Sequence, residues 1–127
     1  MANAATKAAH AYRKVALDAA AKGADARGLA QLCFEALDTA LGAALRHGER
    51  GDMIAARRFL ARAADALAAL RTSLAAEHPL ASVFQSLIGT AHGSLARCMA
   101  AFDATTLRTI RQDFADIGAA LGAKATG

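Results

Sequence analysis

Apolar residues return at intervals of three and four along most of this chain, the spacing that places side chains on one face of an α-helix. The pattern is interrupted at the stretches HGERGD and EHP and at Asp103. The spacing therefore predicts four amphipathic helices, over about residues 26–47, 53–76, 79–102 and 104–121.

The second predicted helix has the most regular pattern. Its apolar positions alternate at steps of three and four: Met53, Ala56, Leu60, Ala63, Leu67, Leu70 and Leu74. Its arginines fall outside this seam. A seam of this kind is typical of helices that pack in a bundle.

Residues suited to helix ends lie at the predicted boundaries. Aspartates stand where N-caps are expected, at Asp25, Asp52 and Asp103. Gly48 and Gly51 tolerate the left-handed backbone that ends a helix, and Pro79 suits a first turn. Because short connections force antiparallel neighbours, the prediction is an all-α, antiparallel up-down four-helix bundle over residues 25–122. An N-terminal arm with one short helix (1–24) and a frayed tail (123–127) complete the expected organisation.

Composition fits one folded domain and narrows the classes of partner. The chain has 127 residues, 55% hydrophobic and 20% charged, which favours a packed core over disorder. The net charge is +4, but the basic residues are scattered, so we expect no nucleic-acid binding. With no apolar stretch of membrane-spanning length and no signal peptide, we expect a cytoplasmic protein with buried thiols at Cys33 and Cys98.

No pattern of catalytic or metal-binding residues stands out. The histidines are far apart, and the three glutamates do not form the Glu-x-x-His pairs of di-iron bundles. The cysteines and serines have no recognisable base beside them. We therefore expect no enzyme activity, no cofactor and no metal.

His92 is the one residue whose position in the sequence suggests a chemical role. A histidine in the middle of a helix, as in TAHGSLA, resembles the phosphorelay histidine of histidine-phosphotransfer bundles. Those domains place a lysine and a glycine shortly after the histidine. Here the third position after His92 is Leu95, followed by Ala96, so the positive charge is missing. Phosphotransfer at His92 is the alternative function.

The order of these segments resembles the FliS family of flagellin export chaperones, over about residues 11–118. The most specific part is GDMIAARRFLARAADALAALRTSL, residues 51–74. Positions that match in order and spacing are Gly51, Asp52, Leu60, Arg62, Ala63, Leu67, Leu70, Ser73 and Leu74. Phe34-Glu35 stands where the family has Tyr-Asp, DATTL resembles the opening of its last helix, and Tyr12 is similar to its N-terminal tyrosine.

The resemblance implies a cytoplasmic chaperone that binds the disordered C-terminal segment of flagellin, prevents premature polymerisation and supports secretion by the flagellar type III system. Export-apparatus components are further implied partners, and the protein itself is expected to be a monomer or weak homodimer. The implied partner-binding residues are Tyr12, Leu29, Leu32, Phe34, Leu60, Ala64, Leu67, Leu74, Leu87 and Ile88. Small residues such as Ala64 either leave shallow grooves for the client beside the leucine seam or serve only to raise helix propensity, and both readings stay open. The N-terminal arm is expected to cover a groove until the client binds.

Two further alternatives stay open at this point. The chain departs from the family at the third helix, where the usual tyrosines are absent, so a diverged relative with another export client is one reading. A purely structural bundle that pairs through an apolar face is the other.

Overall fold

The computed structural model describes the backbone of residues 26–73 and 80–126 and the side chains of residues 28–73 and 80–120. Within these ranges the chain is helical and contains no strand. The helices are α1 (Ala26–Glu49), α2 (Met53–Ser73), α3 (Ala81–Ala100) and α4 (Ala104–Thr126). This confirms the prediction of an all-α fold compatible with a helical bundle. The predicted arm (1–24), with the Asp25 cap, and Pro79 lie outside the described residues.

The turn between α1 and α2 follows one sequence prediction and corrects another. The Asp52 carboxylate accepts a hydrogen bond from the backbone N–H of Ala55 at 3.2 Å, so the predicted N-cap is confirmed. Gly51 has a φ of +82°, the left-handed geometry that favours glycine. The expectation of left-handed geometry at Gly48 was wrong, because Gly48 lies inside α1 with a negative φ.

The α3–α4 connection is capped as predicted. Asp103 accepts a hydrogen bond from the backbone N–H of Thr106 at 3.3 Å and another from its hydroxyl at 2.7 Å. These bonds lower the pKa of the exposed Asp103 carboxyl. The last helix then continues to Thr126, beyond the end near 121 that its apolar pattern predicted.

The helices pack in a closed order. α1 packs against α2 and α4, α2 also packs against α3, and the α3–α4 contact is the sparsest of the four. The predicted α2 seam is buried from Ala56 to Leu70, and both cysteines are buried as expected. Core residues less than 2% exposed include Leu37, Leu41, Leu60, Leu67, Leu70, Ile88, Leu95 and Leu107.

Polar contacts tie α2 to α3 at both ends. Near the start of α2, Arg57 Nε donates to the backbone oxygen of Met99 at 3.0 Å. Near the end of α2, Arg71 Nε donates to Gln85 Oε1 at 2.8 Å, and Gln85 Nε2 donates back to the Arg71 carbonyl at 3.1 Å. The ends of this helix pair are therefore held in a fixed register.

Aromatic rings fill the space where α3 faces α1 and α4. Phe84 lies between Phe34 and Phe114, with edge-to-face centroid distances of 6.2 and 6.3 Å. Gly118 lets the Phe34 ring approach, because a Cβ there would lie only 3.2 Å from it. The three rings therefore fill the core between α3 and the two helices α1 and α4.

Candidate functional site

Half of the predicted partner-binding residues lie in the core. The buried members are Leu29, Phe34, Leu60, Leu67 and Ile88. All of these except Leu29 belong to one apolar cluster shared by the helices. In this arrangement they stabilise the bundle, and a partner would reach them only if the helices separated.

The remaining predicted residues are not gathered at one place. Leu32 on α1 and Ala64 on α2 are half-buried, and Leu87 on α3 is exposed. Tyr12 and Leu74 lie outside the described residues. Leu87 is thus the predicted residue that the structure presents most openly to a partner.

Leu87 belongs to an exposed apolar stripe that begins at Leu80, the residue before α3, and continues along the helix. Leu80 is 45% exposed, Val83 57% and Leu87 41%. Steps of three and four residues place the three side chains on one side of the helix. Large aliphatic groups aligned in this way and left in water are a common mark of an interaction surface.

A groove between α3 and α4 continues this stripe. It has a volume of about 290 Å³. Its lining side chains from α3 are Leu87, Thr90, Ala91 and Ser94; those from α4 are Thr105, Thr106, Thr109, Ile110, Asp113, Phe114 and Ile117. The groove exists because α3 and α4 make the sparsest contact of the bundle and small residues face it. We call this surface, together with Leu80 and Val83, the α3–α4 groove.

The α3–α4 groove is lined by both apolar and polar side chains. Its apolar side chains are Leu87, Ala91, Ile110, Phe114 and Ile117, whereas threonine and serine hydroxyls line the rest. Asp113 is its one charged lining residue among those described. A surface with an apolar strip beside a polar rim is suited to the apolar face of an amphipathic helix.

A second groove, between α1 and α4, is lined by ion pairs. Arg111 donates to both carboxylate oxygens of Asp38, at 2.8 and 3.2 Å, and Arg108 lies 2.7 Å from Glu49. The bonds to Asp38 raise the pKa of Arg111. The groove measures about 590 Å³. Arg46 also lines this groove, so three arginines stand beside two carboxylates, and a lining this rich in charge does not favour the apolar face of a helix.

His92 lies half-buried on α3 and interacts with residues of α2. Burial lowers the pKa of His92, nearby Arg71 lowers it further, and Asp65 acts in the opposite direction. A phosphorelay histidine needs an open approach for a response-regulator domain, which a half-buried ring facing a neighbouring helix does not favour. Phosphotransfer at His92 stays a prediction.

The cysteines are in environments that suppress thiol chemistry. Burial raises the pKa of the Cys33 thiol to about 11 and also raises that of Cys98. A thiol that stays protonated at neutral pH is a poor nucleophile. Among the residues that the structure describes, no three His, Cys, Asp or Glu side chains converge on a point where a metal ion would bind.

Comparisons with known protein families, sequences and structures found no similar protein. No family model, no curated protein and no solved structure matches the chain. Within the described helices, none combines the length and apolar character needed to cross a membrane.

Proposed function

We propose that this protein is a cytoplasmic export chaperone that binds the disordered C-terminal segment of flagellin, prevents its premature polymerisation and supports its secretion by the flagellar type III system, without chemical catalysis. The observation that supports this most is the apolar α3–α4 groove with the exposed stripe of Leu80, Val83 and Leu87. The FliS-like order of residues in segment 51–74 supports flagellin as the client.

The proposed architecture is the antiparallel up-down bundle. Two contacts between α2 and α3 support it. Arg57 near the start of α2 meets Met99 near the end of α3. Arg71 near the end of α2 meets Gln85 near the start of α3. The pairing of Glu49, the last residue of α1, with Arg108 near the start of α4 supports the same arrangement.

The groove suits a client that folds when it binds. Flagellin termini form apolar helices for polymer contacts, so a free chain needs those faces covered before export. A disordered segment that becomes helical loses conformational entropy, and buried apolar area must offset that loss. A shallow, partly polar groove gives a moderate net affinity, which suits a chaperone that releases its client.

The N-terminal arm is proposed to regulate access to the groove. Residues 1–24 contain apolar residues and Tyr12, the counterpart of the family's N-terminal tyrosine. If the arm covers the groove in the free protein, deletion of residues 1–20 should tighten client binding. Unchanged or weaker binding of the shortened chain would argue against this regulation.

Substitutions in the stripe test the proposed function. The probe is a fluorescent peptide with the C-terminal sequence of the flagellin from the same organism, titrated with the full chain and followed by anisotropy. We expect Leu87→Asp and Val83→Asp each to weaken binding about tenfold or more, equivalent to about 1.4 kcal/mol, because each places a charge against an apolar helix face.

The matched control is Ile54→Asp on α2. Ile54 is 74% exposed and does not line the α3–α4 groove, so this variant should bind the peptide like the wild type. Circular dichroism confirms that each variant is folded. Failure of the wild-type chain to bind the peptide, or equal weakening by Ile54→Asp, would overturn the proposal.

A further inference from the structure

A separate surface stands out on the outer face of the first turns of α2. Ile54 is 74% exposed, the highest value among the exposed large hydrophobic side chains of the described residues. Ala61, one heptad further along the same face, is also exposed. Together they form a short apolar line that points away from the core and away from the α3–α4 groove.

Arginines flank this line on both sides. On a helix, residues three and four positions after Ile54 lie to its two sides, and these are Arg57 and Arg58. Arg50 precedes the helix, and Arg62 follows Arg58 after one further turn. We call Arg50, Ile54, Arg57, Arg58, Ala61 and Arg62 the α2 basic face.

The positive charge of this face is not neutralised by the carboxylates that the structure describes. The ion pairs among the described residues involve His47, Arg108 and Arg111, and none involves an arginine of the α2 basic face. Of the nearest acidic residues in sequence, Glu49 pairs with Arg108 and Asp52 caps α2. The half-buried Asp65, three positions after Arg62, takes part in none of the ion pairs of the described residues. Arg57 and Arg62 are held in place, by the Met99 carbonyl and by the ring of Phe59 at 5.1 Å.

We propose that the α2 basic face binds an amphipathic helix of a partner protein that carries aspartate or glutamate on both sides of an apolar stripe. An apolar line flanked by charge is the pattern that helices use to select a partner of opposite charge. Guanidinium groups pair with carboxylates through two parallel hydrogen bonds, and the small Ala61 lets a partner helix approach closely. A protruding isoleucine in the middle of the arginines favours a protein helix over a phosphate backbone.

The test uses three designed helical peptides with the same leucine stripe. The flanking positions are glutamate in the first, lysine in the second and glutamine in the third. We expect the glutamate peptide to bind the full chain at least about tenfold more tightly than the lysine peptide, with an affinity that falls as salt is added. Ile54→Asp and Arg58→Glu should each weaken it about tenfold.

Two variants elsewhere provide matched controls. Val83→Asp makes the same kind of change in the α3–α4 groove, and Arg71→Glu reverses a charge about 20 Å further along α2. Both should leave binding of the glutamate peptide unchanged. Because the flagellin peptide depends on Val83 and Leu87 but not on Ile54, failure here is distinguishable from failure of the proposed function.

Several results would overturn the inference. The glutamate and lysine peptides binding equally, or Ile54→Asp having no effect, would remove the basis for a charge-selected apolar contact. Loss of binding in Val83→Asp would assign the peptide to the α3–α4 groove instead. Tighter binding of a DNA duplex or of anionic lipid vesicles, unaffected by Ile54→Asp, would mean that the arginines act as a general anion surface.

Discussion

Gly48 offers a direct test of how the end of α1 packs against the α3–α4 connection. A Cβ atom at Gly48 would lie 2.8 Å from Cδ1 of Phe102 and closer still to Cε1 and Cζ. Carbon atoms in contact lie about 3.5–4.0 Å apart, so Gly48→Ala requires the ring to move by roughly 1 Å or more. Phe102 is half-buried and packs against the core cluster, so this movement disturbs apolar contacts.

Two opposing effects set the size of the change. Forcing an extra methyl group into a packed site costs about 1–3 kcal/mol. Replacing glycine by alanine inside a helix returns up to about 1 kcal/mol through helix propensity. We therefore expect Gly48→Ala to lower the free energy of unfolding by about 1 kcal/mol, which corresponds to a fall of about 4 °C in Tm.

Gly89→Ala is the matched control, because a Cβ there meets nothing within 4 Å. It should raise stability by about 0.5–1 kcal/mol, so denaturant unfolding should separate the two variants by about 2 kcal/mol. In a Phe102→Ala background, Gly48→Ala should become neutral or stabilising. If Gly48→Ala matched Gly89→Ala in the wild-type background, the contact with Phe102 would not be the reason for glycine at this position.

Three further predictions concern single groups. Gly51→Ala should destabilise by about 1 kcal/mol in chemical unfolding because φ is +82° there, whereas Gly51→Asn should cost less; equal losses would contradict a backbone origin. Because burial and Arg71 lower the pKa of His92, the unfolded chain binds a proton more readily, and stability should fall as the pH drops through 6.5. His92→Gln should flatten this fall when unfolding midpoints are compared at about pH 8 and about pH 5.5, and an unchanged slope would refute the assignment. Since burial raises the pKa of Cys33 to about 11, iodoacetamide should alkylate Cys33 only after unfolding, as peptide mass spectrometry would show; rapid labelling of the native chain would contradict its burial.

The sequence predicted the helices well because their boundaries are set by local interactions. The caps at Asp52 and Asp103 and the left-handed Gly51 depend only on residues a few positions away, and the structure confirms all three. The role of Gly48 could not be read in this way. Glycine is required at this position because the ring of Phe102 leaves no room for a Cβ atom. Phe102 is distant in sequence and reaches Gly48 only when the helices have packed.

The candidate site was predicted less completely, because helical spacing does not distinguish a side chain in the core from one in a groove. Leu60 and Ile88 occupy apolar positions as regular as Leu87, yet the first two are fully buried and Leu87 is 41% exposed. One signal in the sequence would have helped. The third helix carries two neighbouring series of apolar residues: Leu80, Val83 and Leu87, and Phe84 and Ile88. A single core-facing side needs only one such series, so the other is available for a surface contact.

The prediction of grooves lined by small residues of α2 also depended on tertiary contacts. Ala64 is half-buried as a groove position would be, but Ala69, which looks equivalent in the sequence, is fully buried. The apolar groove found among the described residues lies instead between α3 and α4, where the helices make their sparsest contact. Interhelical separation of this kind depends on the sizes of side chains on several helices together.

The measurement that tests the central claim most directly is a titration of the methyl-labelled protein with the C-terminal flagellin peptide, followed by NMR. Binding in the α3–α4 groove predicts that the methyl signals of Leu87, Ile110 and Ile117 shift in proportion to the bound fraction, while the signal of Ile54 stays in place. An absence of shifts at saturating peptide, or shifts that avoid those three residues, would contradict the account.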